Sequence, residues 1–345
     1  MIMNVKPDFL NKMRLQGDKE ADGLMSDIFK NDQKEALYKI LALRPEEGAK
    51  SSSGYEPLDN FMQRIRQKPE WYDEKQMDAG AEVYAEYASE IMMLLGAMAL
   101  PYCYAATPGN KTLYLSEKIR KTPGKRLLET AEFVIDLMGP DSLKENGTGH
   151  RLINKTRLIH AMVRMMIGRR PDYNKDWGIP ANQEDMAGTN LAFSFIVLKG
   201  LSKMGYRLSI EEKEAFLYRW RYIGYQLHLD DQLLVANLKE AMAMEIAIKE
   251  RNFKKSEEGI LLTQALIDHY QRTMPKPLAA LVKSQIRFFL GNEVSTMVGL
   301  AKEPLKDALT VTINNIRSVS NQWTRRQPSL EQMRKDHELL KQKYA

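Results

Sequence analysis

The fold is decided by the stretch Arg151-Leu-Ile-Asn-Lys-Thr-Arg-Leu-Ile-His160-Ala-Met-Val-Arg-Met-Met-Ile167. Its apolar residues recur at helical spacing, and from Leu158 onward the stretch is apolar on nearly every side. A helix that is apolar all round is buried rather than laid on a surface. The segment therefore predicts a helix in the interior of the protein.

Helical spacing of apolar residues continues through most of the 345-residue chain, whereas strand-like alternation is nearly absent. The expected fold class is all-α, as a single multi-helix domain. We expect an N-terminal helical extension and linker over 1–74, a core over 75–300 and a C-terminal helical arm over 301–345. The predicted helices cover about 8–29, 32–43, 57–67, 75–100, 124–138, 150–168, 183–204, 211–226, 231–251, 258–273, 277–292, 303–324 and 328–343.

Two helix starts carry capping signals. Ser209 followed by Glu212 is a capping-box pattern, in which each side chain accepts a hydrogen bond from the other residue's backbone N–H. Asn182 and Asp185 are typical of a cap and first turn at the start of the helix near residue 183.

The scarce residues narrow the chemistry. The chain has one cysteine, Cys103, and five histidines. Disulfides within the chain, cysteine-rich zinc sites, four-cysteine iron–sulfur clusters and covalently attached haem all need more thiols than this. Any metal or cofactor must therefore be held by histidine, by carboxylate or by non-covalent packing.

Charge and hydropathy favour a soluble enzyme over a membrane or nucleic-acid protein. The net charge is 51 − 45 = +6, and the basic residues are diluted by acids along the chain, so we expect no nucleic-acid partner. The start of the chain shows no apolar signal-peptide core. The apolar run 91–106 is too short for a transmembrane segment and is interrupted by Pro101, which predicts a core helix followed by a turn. The expected location is cytoplasmic.

The buried helix carries an unusual polar face. Arg157, His160 and Arg164 are spaced i, i+3 and i+7, so they share one side of the helix. A buried arginine is costly unless it meets an anion, and two arginines hold the intervening histidine neutral, which is the form that binds metals. One interpretation is a structural histidine with arginines paired to Asp or Glu of a neighbouring helix. The other is an iron-porphyrin ligated by His160, with the arginines on its propionates.

Several motifs, taken in chain order over about residues 75–300, resemble the haem-dependent oxygenases related to latex clearing protein and the MpaB-type enzymes. They are Arg126-Leu-Leu-Glu-Thr130, Arg157-x-x-His160-x-x-x-Arg164, Trp177-Gly-Ile-Pro180-Ala-Asn182-Gln183-Glu-Asp-Met186, Thr189 with Phe193, and Tyr218-Arg-Trp220-Arg-Tyr222-Ile-Gly224-Tyr225.

The resemblance implies a non-covalent haem b enclosed in a helical core of globin-like character. His160 matches the family's proximal ligand to the iron, Arg126 and Thr130 match positions near the haem, and Arg157 and Arg164 match arginines beside the axial ligand. The family's chemistry implies O2 and an apolar, isoprenoid or lipid-like substrate as partners. The resemblance does not indicate an oligomeric state.

Two positions are open to more than one interpretation. The resemblance places Glu129 on the distal side of the haem, where the family has a lysine, and burial would raise the pKa of its carboxyl towards the range useful for acid–base catalysis. The spacing of Glu129, Glu132 and Asp136 is equally typical of a solvated helix face. Thr189 can donate a hydrogen bond towards the His160 helix or to its own backbone.

The leading hypothesis is a haem-b-dependent oxygenase. The first alternative is a haem-binding sensor or storage protein without turnover, because a fold and a ligand do not guarantee chemistry. The second is a helical nucleic-acid or partner-binding module that uses the basic and aromatic segment 218–225 and the charged tail from Arg325.

Overall fold

The chain folds into α-helices packed in one domain. The computed structural model describes residues 5–43, 51–117, 121–145, 147–321 and 330–344, and no β-strand occurs among them. The largest apolar cluster extends from Leu10 to Phe289 and joins elements along that whole length. The predicted all-α, single-domain fold is confirmed.

The helices are numbered here in chain order. The α-helices are α1 (Pro7–Met13), α2 (Lys19–Lys30), α3 (Lys34–Ala42), α4 (Glu56–Gln63), α5 (Glu74–Leu94), α6 (Leu100–Ala105), α7 (Thr107–Leu115), α8 (Pro123–Leu137), α9 (Gly149–Ile167), α10 (Gln183–Phe193), α11 (Phe195–Lys203), α12 (Ile210–Gln226), α13 (Leu238–Asn252), α14 (Glu257–Thr273), α15 (Lys276–Ala279), α16 (Val282–Met297), α17 (Pro304–Asn321) and α18 (Leu330–Tyr344).

The single helix predicted over 8–29 is wrong, because the chain forms α1 and α2 with a break at 14–18. Asp18 starts α2 by accepting a hydrogen bond from the backbone N–H of Ala21 at 3.1 Å. At Gly17 the backbone passes so close to Arg164 that a Cβ would lie 2.7 Å from its Cδ. The helix predicted over 183–204 is likewise two helices, α10 and α11, separated at Ser194.

A π-helical turn, Leu95–Ala99, joins α5 to α6, so the three elements follow one another as a continuous helical segment. The N–H of Leu100 donates to the carbonyl of Leu95, five residues back, and Pro101 follows with no N–H of its own. The turn predicted at Pro101 is therefore wrong, since Pro101 lies in the first turn of α6. Gly96 is required in the π-turn because the Tyr270 hydroxyl occupies the space that a Cβ would need.

The run 74–105 is long and apolar enough to cross a membrane by length and composition. Over half of its most apolar window, 56%, is buried inside the protein. It packs closely on α12, where a Cβ at Gly80 would lie 2.5 Å from the carbonyl oxygen of Ala215. The prediction that the apolar run starting at residue 91 belongs to a core helix fits this packing.

Helix α9 lies between the N-terminal helices and the rest of the core. Leu158 and Ala161 pack with Met25 and Ile28 of α2 and with residues of α3 and α4. The division at residues 74 and 300 stays a prediction, and part of the predicted linker, 48–50, lies outside the described residues, as do 325–329 and 345 of the charged tail.

Candidate functional site

His160 is neutral and without a partner. It is enclosed by protein yet keeps some accessible surface, so its ring borders an internal space. Burial, together with the charges of Arg164 and Arg126, lowers the pKa of His160 to about 4. Within the described part of the chain, its ring nitrogens have no hydrogen-bond or ion-pair partner. A neutral imidazole with a free ring nitrogen is the form of histidine that can bind a metal ion.

The two arginines beside His160 are paired with carboxylates of α2. Arg157 Nε lies 2.6 Å from Asp18 Oδ2 and its Nη2 lies 2.7 Å from Glu20 Oε2. Arg164 Nε lies 2.7 Å from Asp22 Oδ1. This is the pairing with a neighbouring helix that the sequence left open. The prediction that Arg157 and Arg164 also contact the cofactor's carboxylates stays a prediction, and the buried Nη2 of Arg164 has no hydrogen-bond partner among the described residues.

Asp18, Glu20 and His228 bring three possible metal-ligand atoms within 4.8 Å of one another. The guanidinium of Arg157, however, is hydrogen-bonded to both carboxylates and supplies the positive charge. The cluster is therefore an ion-pair network centred on Arg157.

A cavity of about 90 Å³ opens between α6, α8, α10 and α14. Its wall is mostly apolar, with an arginine, two threonines, a tyrosine and a cysteine as polar members. The lining residues are Leu100, Cys103, Tyr104, Leu113, Pro123, Arg126, Leu127, Thr130, Thr189, Phe193 and Leu266. Burial raises the pKa of the Cys103 thiol to about 12, so the thiol stays protonated and is not a nucleophile.

Three of the predicted site residues meet in this cavity. Arg126 Nη1 donates to Thr130 Oγ1 at 2.8 Å, and Thr130 donates back to the Arg126 carbonyl at 2.9 Å. Thr189 Oγ1 donates to the carbonyl of Asp185 in its own helix at 2.9 Å, which is the second of the two interpretations. Arg126 links the cavity to His160, since its charge contributes to the lowered pKa of that histidine.

Glu129 does not reach this cavity. Its side chain is 42% exposed and lies 4.0 Å from Arg126 on the outer side of α8. The interpretation of Glu129 as a buried distal acid–base is therefore corrected. Of the three acidic residues at i, i+3 and i+7, Glu129 is exposed to water, whereas Glu132 and Asp136 are half-buried.

Asp185, which the sequence indicates only as an acid in the first turn of α10, is a carboxyl with a raised pKa in the structure. Burial raises its pKa to about 6, although Arg14 lies 3.3 Å away and Asn182 donates to it at 2.9 Å. Asn182 is the N-cap of α10, as predicted, and accepts from the Asp185 N–H. The position of the Asp185 carboxyl depends on a partner 171 residues away, which no local pattern indicates.

Arg14 anchors the N-terminal segment beneath the site. Its Nε lies 2.9 Å from Glu184, which is fully buried and also binds Arg251 and Asn252. Its Nη1 donates to the carbonyl of Trp177 at 3.0 Å. This network of two arginines and two carboxylates, Glu184 and Asp185, joins α1, α10 and α13.

The family model described as the catalytic domain of ER-bound oxygenase mpaB/B'/Rubber oxygenase matches residues 84–319. The chain belongs to this oxygenase family. Rubber oxygenase from Streptomyces sp. (strain K30) is 25% identical over 299 residues, which is 86% of this chain and 73% of the relative. The solved structure of latex clearing protein in the closed state matches 95% of this chain and 90% of its own, with a TM-score of 0.75 and 22% identity. That structure shares the fold.

The residues of this oxygenase site fit a haem by their chemistry. His160 offers an unpartnered neutral nitrogen, Arg126 offers a cation in an apolar wall, and the lining carries no carboxylate. The cavity is smaller than the roughly 300–1,000 Å³ of typical ligand pockets, so binding a porphyrin requires the walls to move apart.

Proposed function

We propose that this member of the oxygenase family is haem-b-dependent and acts with O2 on an apolar, isoprenoid or unsaturated-lipid substrate. The observation that carries the proposal is His160, a deep, neutral histidine without a partner among the described residues, whose pKa is lowered in part by the charge of Arg126 in the wall of an apolar cavity. When bound, the haem supplies the iron redox chemistry that activates O2.

The protein's part is to hold and orient the cofactor. His160 would supply a nitrogen ligand to the iron, because its lowered pKa of about 4 keeps the ring neutral at neutral pH. Arg126 would pair with a propionate, and Thr130 fixes the direction of its guanidinium through the hydrogen bond at 2.8 Å. Arg157 and Arg164 would act indirectly, by holding α9 in place.

The substrate class follows from the cavity wall. Leu100, Leu113, Leu127, Phe193 and Leu266 line it with apolar surface, which excludes water and rewards an apolar ligand. A cationic substrate would leave its charge unpaired there, because the one charged residue in the lining found among the described residues is itself a cation, Arg126.

Asp185 takes the place of Glu129 as the carboxyl that can hold a proton near this site. A pKa of about 6 lets it exchange a proton at neutral pH. Its charge raises the pKa of the cavity-lining Cys103 thiol further, after the larger effect of burial, which places Asp185 within electrostatic reach of the cavity.

The test is the absorption spectrum of the purified protein, with and without dithionite and carbon monoxide. We expect a Soret band that shifts with carbon monoxide and is lost in His160→Ala. The matched control is His269→Gln, which removes another buried imidazole, in α14 and outside the ion-pair network of Asp18, Glu20 and Arg157. A wild-type protein that stays folded and takes up no haemin would disprove the proposal. A control variant that loses the Soret band while His160→Ala keeps it would disprove it as well.

Turnover separates the oxygenase from a haem sensor or storage protein. We expect the haem-loaded protein to consume O2 when an unsaturated isoprenoid is added, and His160→Ala to consume none. A loaded protein with an open iron site and no O2 uptake on any unsaturated apolar compound would favour the sensor or storage role.

A further inference from the structure

The segment Arg14–Asp22 lies outside the matched catalytic domain, which begins at residue 84. Even so, it contacts the site on two sides. Its carboxylates pair with the arginines that flank His160, and its backbone is hydrogen-bonded to the loop before α10. The N–H of Ile179 donates to the carbonyl of Arg14 at 3.1 Å, and that of Gln183 to the carbonyl of Gln16 at 2.9 Å.

The fit of this segment leaves no room for larger residues. A Cβ at Gly178, where φ is +84°, would lie 2.5 Å from the Arg14 carbonyl oxygen. The Arg164 Nη1 donates to the carbonyl of Ala181 at 3.0 Å, so the same loop also touches α9. Segment, loop and α9 form one interlocked unit.

Asp18 is the most enclosed contact in this unit. Asp18 and Arg157 are each almost fully buried and are joined by two hydrogen bonds, of 2.6 and 3.1 Å. Burial alone would raise the pKa of the Asp18 carboxyl, but the hydrogen bonds and charge of Arg157 outweigh it and lower the pKa. Asp18 is thus ionised at neutral pH and balances the Arg157 charge.

The two arginine contacts bracket the predicted ligand. Arg157 lies three residues before His160 and Arg164 four residues after it, both on the histidine's face of α9. Fixing Arg157 to Asp18 and Arg164 to Asp22 sets the rotation of the helix about its axis. Asp18 also affects the charge balance at the imidazole directly, because its negative charge raises the pKa of His160, whereas the charges of Arg164 and Arg126 lower it.

We infer that Asp18 is a positioning residue of the oxygenase site: through Arg157 it fixes the orientation of the His160 helix and cancels a positive charge beside the iron ligand. The inference rests on the proposed haem function. It makes the N-terminal segment a working part of the site, although the segment precedes the family's catalytic domain.

The test uses the full chain with Asp18→Asn. Asparagine keeps the N-cap of α2 but removes the charge, so the α2 start is preserved while the Arg157 pair is broken. The conservative variant Asp18→Glu keeps the charge and should rescue. Asp307→Asn is the control, because Asp307 pairs with the buried Arg287 at 3.1 Å between α16 and α17.

The first measurement is amide hydrogen exchange in the haem-free protein. We expect exchange across 149–167 to quicken at least tenfold in Asp18→Asn and to stay at the wild-type rate in Asp307→Asn. This measurement does not depend on haem, so it tests the positioning role even if the wild-type protein binds none.

The second measurement is the reduction potential of the haem-loaded protein. An uncompensated Arg157 favours the reduced iron, so we expect at least a tenfold shift of the equilibrium towards it in Asp18→Asn, equal to about 59 mV for one electron. Asp18→Glu should return the potential towards the wild-type value. A lower melting temperature with unchanged local exchange and unchanged potential would overturn the inference, because it would leave Asp18 a purely structural role.

Discussion

On the side of α9 that faces α2, Arg157 and Arg164 each have a carboxylate oxygen within 2.7 Å. Between these arginines on the same face, His160 is neutral and has no hydrogen-bond partner among the described residues, and the cavity that Arg126 lines has a mostly apolar wall. The first region stabilises buried charge by pairing it, and these ion pairs hold α9 in one position. The second region contains little charge, and the free ring nitrogen of His160 there remains available to a ligand. A binding site at His160 therefore depends on the ion pairs of Arg157 and Arg164, which hold α9 in place.

The largest effect on the free energy of unfolding should come from breaking the ion pair between Arg14 and the buried Glu184. Arg14→Met keeps much of the volume but leaves the fully buried Glu184 with less positive charge, so we expect a loss of about 3–5 kcal/mol in the free energy of unfolding. The measurement is denaturant unfolding. The matched control, Lys335→Met, breaks an exposed pair with Glu331 and should cost less than about 0.5 kcal/mol. Equal losses in the two variants would contradict the comparison.

The pH dependence of stability tests the deep carboxyl of Asp185. Its folded pKa of about 6 exceeds the ordinary value of 3.8, so the folded protein holds this proton more tightly. That contribution is complete below about pH 3.8 and is lost as pH rises through 6. Compared with Asp185→Asn, the wild type should therefore lose about 3 kcal/mol of relative stability between pH 4 and pH 7.

Melting temperatures of wild type and Asp185→Asn at the two pH values measure this effect. Asp172→Asn is the control with the opposite sign, because the hydrogen bond from Arg170 lowers the pKa of exposed Asp172. A constant difference between wild type and Asp185→Asn would show that Asp185 is ionised throughout.

The π-turn beside the cavity should tolerate no side chain at Gly96. Gly96→Ala places a Cβ against the Tyr270 hydroxyl, and we expect the overpacking to cost about 1–3 kcal/mol. Adding Tyr270→Phe removes the obstructing oxygen and leaves the ring carbon at 3.4 Å, so the double variant should regain most of the loss. Thermal unfolding of the two single variants and the double variant measures these losses of stability. A loss in the double variant equal to the sum of the two single losses would contradict the contact between residue 96 and Tyr270.

The smallest stability effect should come from filling the cavity. Leu127→Phe adds volume to a space that is partly empty, so we expect a change within about 1 kcal/mol but weaker uptake in a haemin titration. Leu158→Phe makes the same substitution in the fully buried core against α2 and should cost about 1–3 kcal/mol. Equal costs at the two positions would mean that the cavity wall is as tightly packed as the core.

Local patterns predicted most helices closely. The helix expected over 150–168 is Gly149–Ile167, and the capping box of Ser209 and Glu212 is present at the start of α12. The misses arise where tertiary contacts override local signals. Helix α7 was not predicted because Pro108 and Gly109 are typical of a loop, yet Gly109 gives α7 the close approach that the Asp185 carboxyl needs.

The sequence by itself determined the all-α class and a buried helix with His160 between two arginines, because helical periodicity and neighbour spacing are local properties. Its motifs also indicated the family. Only the tertiary structure decided that the arginines pair with Asp18, Glu20 and Asp22, that Glu129 faces water and that Asp185 is held deep inside. Those outcomes depend on segments about 140 to 170 residues apart, and only the packed chain brings such charges together.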